Sequence, residues 1–453
     1  MRTVNPTTGK VIKEYDEMSA STLDGIIEKA NKAQKIWAQN SFEERAKFLN
    51  KAANLLRKNV NELAQLMTLE MGKPISQSEG EIEKCAWVCE YYAENASKFL
   101  ENELVETDAS KSYVAFKPLG VVLSIMPWNF PYWQLFRFAA PALMAGNSVV
   151  LKHSENTTGC ALEIERIMHE AGYPKDLFRT LLVKNEHMKP VIQHNGIAAV
   201  TLTGSTRAGK AVASQAGEAL KKTVLELGGS DPYIILDDAD IKDAAQKCVT
   251  SRLINTGQSC VAAKRFIVVD KVYDEFVEAF AMNMKDKVMD DPLIAGTDIG
   301  PMARFDLRDE LHKQVQESLK KGAKLTLGGF IPDNEGAFYP PTILENVAKG
   351  MPAYSEELFG PVASIIKVKD EKEAIAVAND SIYGLGAAIF SSDVEKAEQI
   401  AANELEAGCC FVNDFVKSDP RLPFGGIKNS GYGRELGSFG IHEFVNTKTV
   451  YIS

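Results

Sequence analysis

From about residue 121 the chain settles into short, wholly apolar runs separated by helix-length amphipathic segments, and this rhythm constrains the fold more than any other feature. Val121-Val122-Leu123-Ser124-Ile125-Met126, Val149-Val150-Leu151 and Ala198-Ala199-Val200-Thr201-Leu202 read as buried strands. Residues 157–171 and 206–221 read as helices. Strands apolar on both faces belong in a parallel sheet with helices on each side, so the expected class is α/β. A second series follows in Tyr233-Ile234-Ile235-Leu236, Arg265-Phe266-Ile267-Val268-Val269 and Ser364-Ile365-Ile366-Lys367-Val368. Two such series predict two lobes with a cleft between them, packed closely because no Pro/Gly/Ser-rich linker divides them. A chain of 453 residues exceeds one ordinary core, in keeping with two or three domains.

Ahead of this region the periodicity is helical. Leu23, Ile26, Ile27, Ala30, Ala33 and Trp37 keep helical spacing within residues 19–39. Ser41-Phe42-Glu43-Glu44 forms a capping box for the next helix. A third helical stretch runs to about residue 99, punctuated by Glu70-Met71-Gly72-Lys73-Pro74. Nothing in it stands out as catalytic.

A formal net charge of −10 argues against nucleic acid or an anionic membrane as partner, since both demand clustered cations. The start, Met1-Arg2-Thr3-Val4-Asn5-Pro6, has no apolar run, so no secretory leader is expected. No stretch approaches about 20 uninterrupted apolar residues, so no membrane span is expected. The seven cysteines, including Cys85 and Cys89 and the adjacent Cys409 and Cys410, match no zinc spacing. No metal is expected, and free thiols fit a cytoplasmic protein.

Three segments carry chemistry. Asn255-Thr256-Gly257-Gln258-Ser259-Cys260 is a polar, turn-prone stretch ending in a cysteine, placed between a helix and a strand. Taken alone, Cys260 would be an inert core thiol. Glu226-Leu227-Gly228-Gly229 puts a carboxylate at a strand end before a glycine turn; alone, it would be a surface acid on a turn. Pro127-Trp128-Asn129-Phe130-Pro131 fixes one amide between aromatics and prolines after a buried strand. Together they supply a thiolate nucleophile (Cys260), an oxyanion donor (Asn129) and a base for water (Glu226), which aldehyde oxidation requires.

These blocks resemble, in order and approximate spacing, those of the aldehyde dehydrogenase superfamily. Glu356-Glu357-Leu358-Phe359-Gly360-Pro361 and Leu422-Pro423-Phe424-Gly425-Gly426-Ile427-Lys428-Asn429-Ser430-Gly431 resemble two further family blocks, and the likeness covers nearly the whole chain. The resemblance implies a Rossmann-like NAD(P)-binding domain (residues 1–99 and 119–227) and an α/β catalytic domain (228–428). It also implies a small β oligomerisation element (100–118 and 437–453) serving a homo-oligomer, dimer or tetramer. Ser112-Tyr113-Val114-Ala115-Phe116 and Thr449-Val450-Tyr451-Ile452 are its β-like stretches.

The resemblance also implies cofactor contacts. Gly204 and Ser205, opening a helix after a strand, lie at the pyrophosphate, where free N–H groups attract phosphate. Lys152 and Glu155 match a Lys-x-x-Glu at the adenine ribose; a carboxylate there favours NAD over NADP, which stays possible. His153 stands where many relatives have proline. Met126, Trp128, Leu227, Glu357 and Phe359 complete the cofactor set, with Glu357 at the nicotinamide ribose.

For the substrate, Arg137 lies eight residues after Asn129, about two helical turns, so both are expected on one face of a helix entering the cleft. The bland reading is a surface arginine. The succinate-semialdehyde dehydrogenase branch, which Gly431-Tyr432-Gly433-Arg434-Glu435 also resembles, uses an arginine here for the distal carboxylate and a serine matching Ser418. A second arginine of that branch is replaced by Ile254, with Arg252 nearby, and Ala262 removes a Cys-x-Cys redox pair. Succinate semialdehyde is therefore the expected substrate. Another aliphatic aldehyde or a CoA-acylating reaction are the alternatives, and Glu226, a base for water, weighs against the latter. A silent binding protein on this fold would be expected to lack one of the three reactive groups. A cysteine hydrolase would need a histidine paired with Cys260, and none of the six histidines is so placed in sequence.

Overall fold

A computed structural model describes residues 1–453. The chain opens with a hairpin of β1 (Arg2–Val4) and β2 (Val11–Glu14), then four helices: α1 (Ala20–Trp37), α2 (Phe42–Lys58), α3 (Val60–Met71) and α4 (Ile75–Phe99). The box at the start of α2 forms in both directions: Ser41 Oγ accepts from the Glu44 N–H, and Glu44 accepts from the Ser41 N–H. Along α4 the buried positions Ser78, Glu81, Ile82, Cys85, Cys89, Tyr92 and Ala96 recur every three or four residues. Glu81 is the one acid in that stripe.

β3 (Glu103–Leu104) and β4 (Lys111–Pro118) lead into the first α/β series. It contains β5 (Val121–Met126), α5 (Trp133–Met144), β6 (Ser148–His153), α6 (Thr158–Glu170), β7 (Phe178–Thr180), α7 (Met188–Gln193), β8 (Ile197–Thr203), α8 (Thr206–Glu218) and β9 (Lys222–Glu226). The helix expected over 206–221 stops at Glu218, because Leu220 adopts a left-handed φ of 53° and β9 begins two residues on. The second series is β10 (Pro232–Ile235), α9 (Ile241–Leu253), β11 (Arg265–Val269), α10 (Tyr273–Lys285), α11 (Phe305–Lys320), β12 (Lys324–Leu327), β13 (Thr342–Glu345), α12 (Pro352–Ser355), β14 (Val362–Val368), α13 (Glu371–Asn379), β15 (Tyr383–Gly384), β16 (Gly386–Phe390), α14 (Val394–Asn403) and β17 (Cys409–Val412). The chain ends with β18 (Ile427–Lys428), β19 (Gly431–Tyr432), α15 (Gly437–His442) and β20 (Val445–Ile452).

Three sheets organise this. One has the order β19-β9-β8-β5-β6-β7, parallel except where β19 pairs antiparallel with β9. A second has the order β12-β13-β14-β11-β10-β16-β17, parallel except for β12 against β13. The third is the antiparallel β20-β4-β3, with Val445 opposite Pro118 and Ile452 opposite Lys111. Residues 437–444 do not join that small sheet: Ile441 and Phe444 pack with Phe138 and Leu143 in the core over the first sheet. Reversal of strand order between β5 and β8 in the first sheet, and between β10 and β16 in the second, leaves crevices at strand ends where ligands bind in such sheets.

Candidate active site

The Cys260 loop leaves α9 through an unusual turn. Asn255, Thr256 and Gly257 take successive left-handed φ values of 52°, 56° and 74°. Such backbone costs about 1 kcal/mol or more at each non-glycine residue, so it persists only where contacts over-determine it. Here the Asn255 N–H donates to Gln77 Oε1 (2.7 Å), and Asn255 Nδ2 donates to the Asn129 and Gln258 carbonyls (2.7 and 3.1 Å). Thr256 Oγ1 meets the Gly300 carbonyl and N–H, and the Ala303 N–H donates to Gln258 Oε1 (2.9 Å). At Gly257 a Cβ would overlap the Gly360 carbonyl.

Beyond the turn the fully buried ammonium of Lys264 donates to the carbonyls of Ser259, Cys260 and Ala262 at 3.0, 2.8 and 3.1 Å. Three donors meet three acceptors, which pins the loop bearing the thiol. Arg252 is also fully buried; its Nη2 donates to the Gly257 carbonyl (2.6 Å), so it holds the turn and does not face the cavity. Cys260 is half-buried. Burial pushes its thiol up to about 12, against the pull of Arg137 and Lys264.

Asn129 lies in the loop before α5, not on that helix with Arg137, which corrects the expectation of a shared helical face: the proline-flanked segment 127–131 cannot begin a helix before Trp133. Asn129 Nδ2 donates to the Gln258 carbonyl (3.0 Å) and its Oδ1 accepts from Gln134 Nε2 (2.9 Å), joining this loop to the thiol loop. One amide hydrogen is left over. Glu81 Oε1 accepts from the N–H groups of Tyr132 and Trp133 (2.9 and 3.0 Å). Glu81 is itself ion-paired with buried Lys73, whose ammonium sits 3.9 Å from the Phe130 ring centre.

Glu226 is the last residue of β9 and is 2% exposed, not a surface acid. Neither carboxyl oxygen has a hydrogen-bond partner, and a Cβ on Gly425 would lie 2.6 Å from Oε1. Burial, then the neighbouring Glu435, pushes its pKa well above the usual carboxylate range. The following Gly229 packs so closely on the Cys260 carbonyl that a Cβ would come within 2.8 Å.

Cys260, Arg137 and Ser418 line one cavity of about 300 Å³, together with Lys84, Gln134 and Phe424; Asn129 and Glu226 do not line it. Arg137 is 3% exposed rather than on the surface. It is ion-paired with Glu435, donates to Thr203 Oγ1 (3.3 Å) and stacks 4.7 Å from the Phe424 ring centre. Ser418 Oγ accepts from Lys84 Nζ at 2.9 Å. Ile254 adds an apolar patch to the same wall. Lys73, Glu81 and Lys84 come from the region whose sequence suggested nothing catalytic. The available signal was Glu81 and Lys84 at i, i+3, which share a helix face.

On the other side, Ser205 caps α8, its Oγ accepting from the Ala208 N–H at 3.3 Å after Gly204 ends the turn. Gly209 in α8 faces Leu227 so closely that a Cβ would meet it at 2.6 Å, bringing the helix start down onto the strand ends. Trp128 meets Phe359 edge-on at 5.8 Å, and buried Met126 ends β5. Glu357 accepts from the Gly229 N–H (3.0 Å) and lies 3.6 Å from Lys264.

Lys152 and Glu155 line a larger cavity of about 960 Å³ with Ser154, Asn185 and Arg304. His153 is buried, accepts the Ser154 N–H at Nδ1 (2.9 Å) and therefore donates from Nε2 to the Pro131 carbonyl (3.0 Å). Burial pushes it down to about 4, so it is neutral and ties the end of β6 to the Asn129 loop. A roomy polar cavity, a capped helix start and a glycine-tightened strand end suit a dinucleotide.

The comparisons agree with this geometry. The Aldehyde dehydrogenase family model matches residues 1–450. A probable succinate-semialdehyde dehydrogenase (NADP+) of Synechocystis sp. is 46% identical, over 100% of this chain and 99% of that one. A succinate semialdehyde dehydrogenase (NAD(P)+) of Escherichia coli is 45% identical, over 99% of this chain and 97% of its own. The crystal structure of succinic semialdehyde dehydrogenase from Streptococcus pyogenes in complex with NADP+ superposes with a TM-score of 0.97 at 41% identity, covering 100% and 99% of the two chains. The Cys260 loop and its cavity are thus carried on a backbone shared end to end with these enzymes, and the chain belongs to the aldehyde dehydrogenase family of oxidoreductases.

Proposed function

We propose that this protein oxidises succinate semialdehyde to succinate with a nicotinamide dinucleotide as acceptor. The observation that carries it is one small cavity holding both a cysteine thiol, Cys260, and a buried guanidinium with a hydroxyl, Arg137 and Ser418. A thiol answers to the aldehyde; the cationic group answers to a carboxylate at the far end of a short chain.

In this reading Cys260 passes its proton to solvent water, and the thiolate adds to the carbonyl carbon. The oxyanion is held by the spare Asn129 amide hydrogen and the Cys260 N–H. The dinucleotide, when bound, supplies the hydride acceptor. The resulting thioester on Cys260 is hydrolysed by water that Glu226, as carboxylate, deprotonates; free acid leaves, not acyl-CoA. Met126, Trp128, Gly204, Ser205, Leu227, Glu357 and Phe359 hold the dinucleotide, with Lys152 and Glu155 at its adenine ribose.

The preference for NAD expected from Glu155 is replaced by acceptance of NADP+. Relatives named for NADP+ support this. Physically, Glu155 is not alone: the Lys152 ammonium and the Ser154 hydroxyl line the same cavity as donors for a 2′-phosphate, while Arg304 there is paired with Asp306.

The test is steady-state oxidation of succinate semialdehyde and butanal with NADP+ and NAD+ separately, followed at the reduced-nicotinamide absorbance. Expected is a kcat/KM for succinate semialdehyde at least about tenfold above that for butanal, about 1.4 kcal/mol, with NADP+ used at least as well as NAD+. Equal kcat/KM for the two aldehydes would remove the substrate assignment. Arg137→Ala should raise KM for the charged aldehyde selectively.

A further inference from the structure

We propose that Lys84 is a second cation of the substrate-carboxylate site, acting beside Arg137 from a different wall of the Cys260 cavity. The inference rests on the reading that the substrate carries a carboxylate.

Lys84 projects from α4 into that cavity. It has one hydrogen bond, to Ser418 Oγ at 2.9 Å, and its ammonium lies 4.3 Å from the Trp133 ring centre. Every acid within reach is engaged elsewhere. Glu81, one turn earlier on α4, is ion-paired with Lys73. Asp419, next to Ser418, is ion-paired with Arg421. Glu435 is ion-paired with Arg137. An ammonium facing an apolar-walled cavity, with a hydroxyl and a ring for company, lacks the anion that burial of a charge normally requires.

Arg137 also bears on Lys84 with like charge, and Glu435 pairs with Arg137 rather than with Lys84. The cation left without a counter-ion is therefore Lys84, and an anion entering the cavity relieves it. A carboxylate has about four lone-pair sites, enough for a guanidinium edge, an ammonium and a hydroxyl together. Burial, then Arg137, lowers the Lys84 pKa to about 8, as expected for a cation awaiting its counter-ion. Ser418, already bonded to Lys84, is then the hydroxyl that aims the ammonium, and the two act as a unit.

The test compares Lys84→Met, Lys84→Gln and Lys84→Arg with the parent enzyme on succinate semialdehyde and butanal, with succinate as a dead-end inhibitor. Lys84→Met keeps the stem and removes the charge; Lys84→Gln keeps a donor for Ser418. Both should raise KM for succinate semialdehyde by about tenfold or more relative to any change in KM for butanal, the size of a lost charge-assisted hydrogen bond. The inhibition constant of succinate should rise in parallel, and Lys84→Arg should restore both. Adding Ile254→Arg to Lys84→Met, which returns a cation to the same cavity from the α9 side, should recover part of the discrimination. Equal changes for both aldehydes, or no change for either, would overturn the role of Lys84. Should the parent enzyme itself fail to favour succinate semialdehyde over butanal, the substrate reading falls first, whatever the variants do.

Discussion

At the residue scale the groups proposed to react start in the wrong charge states. Cys260 is held as a thiol by burial, and Glu226 as a neutral carboxyl by burial and by Glu435. Each must lose its proton to act, so turnover should climb with pH above the range where free carboxylates ionise. Lys84 titrates the other way: with its pKa lowered to about 8 it carries charge below that pH and loses it above. Arg137 faces it with like charge, while Cys85, Asp419 and Glu81 pull in the opposite direction. Above pH about 8, kcat/KM for succinate semialdehyde should therefore fall relative to butanal, and Lys84→Arg should carry that break out of range. Cys260→Ala should abolish oxidation while dinucleotide binding, read by titration of fluorescence, survives; residual turnover would remove Cys260 as nucleophile. Glu226→Gln should slow hydrolysis roughly a hundredfold or more, so an acyl-enzyme should build up in intact-protein mass spectra. Its absence would count against Glu226 as the base. Cys260, Glu226 and Asn129 stood out in the sequence as candidate residue types beside turns, and the proposed roles rest on them. Their protonation states were not legible there, because these follow from burial and from Glu435, which lies more than two hundred residues along the chain from Glu226.

Elements positioned far from the thiol turn out to hold its surroundings. The first N–H groups of α5 have no partner within their own helix, and Glu81 of α4 supplies one. Lys73, in the short link between α3 and α4, neutralises Glu81; both side chains are almost wholly enclosed. Removing one partner strands a buried charge. Glu81→Gln should cost about 3–5 kcal/mol in urea unfolding, and Lys73→Met plus Glu81→Gln together distinctly less than the sum of the two single changes. Additive losses would show that the two groups do not depend on each other. The strands of the first α/β series were readable because burial on both faces leaves an uninterrupted apolar run. Glu81 and Lys84 were not, since a charged residue on an amphipathic helix looks the same whether it meets water or another helix, and Lys73 was not, since a charged residue in a short link reads as exposed. Only the packing of α4 on α5 separates the cases.

For the whole molecule, the last segments of the chain return to the first α/β series and to β4. β19 pairs with β9, setting Gly431 opposite Glu226, and Ser430 Oγ donates to the Gly228 carbonyl at 2.7 Å. Division of the sequence into consecutive lobes could not reveal this closure, because a two-residue strand such as Gly431–Tyr432 carries no periodicity. β20 then runs eight residues along β4 and leaves its outer edge unpaired, with Tyr451 and Ile452 about half exposed. On the far side of the same sheet Leu104 is 77% exposed. A long free edge beside exposed apolar side chains is a template for another strand, and proteins that stay monomeric usually blunt such an edge. β20 carries a single charge, Lys448, and no proline, so it is hardly blunted. In a two-fold assembly the same surface serves both partners, so one edge is enough to join two copies. Deleting residues 446–453 removes that edge while keeping Phe444, whose carbonyl accepts from Asn147 in the first core. The full chain should scatter light as a multiple of 49.7 kDa, and the shortened chain as a single copy. If both chains gave particles with the same number of copies, subunits would have to meet through a surface other than the edge of β20.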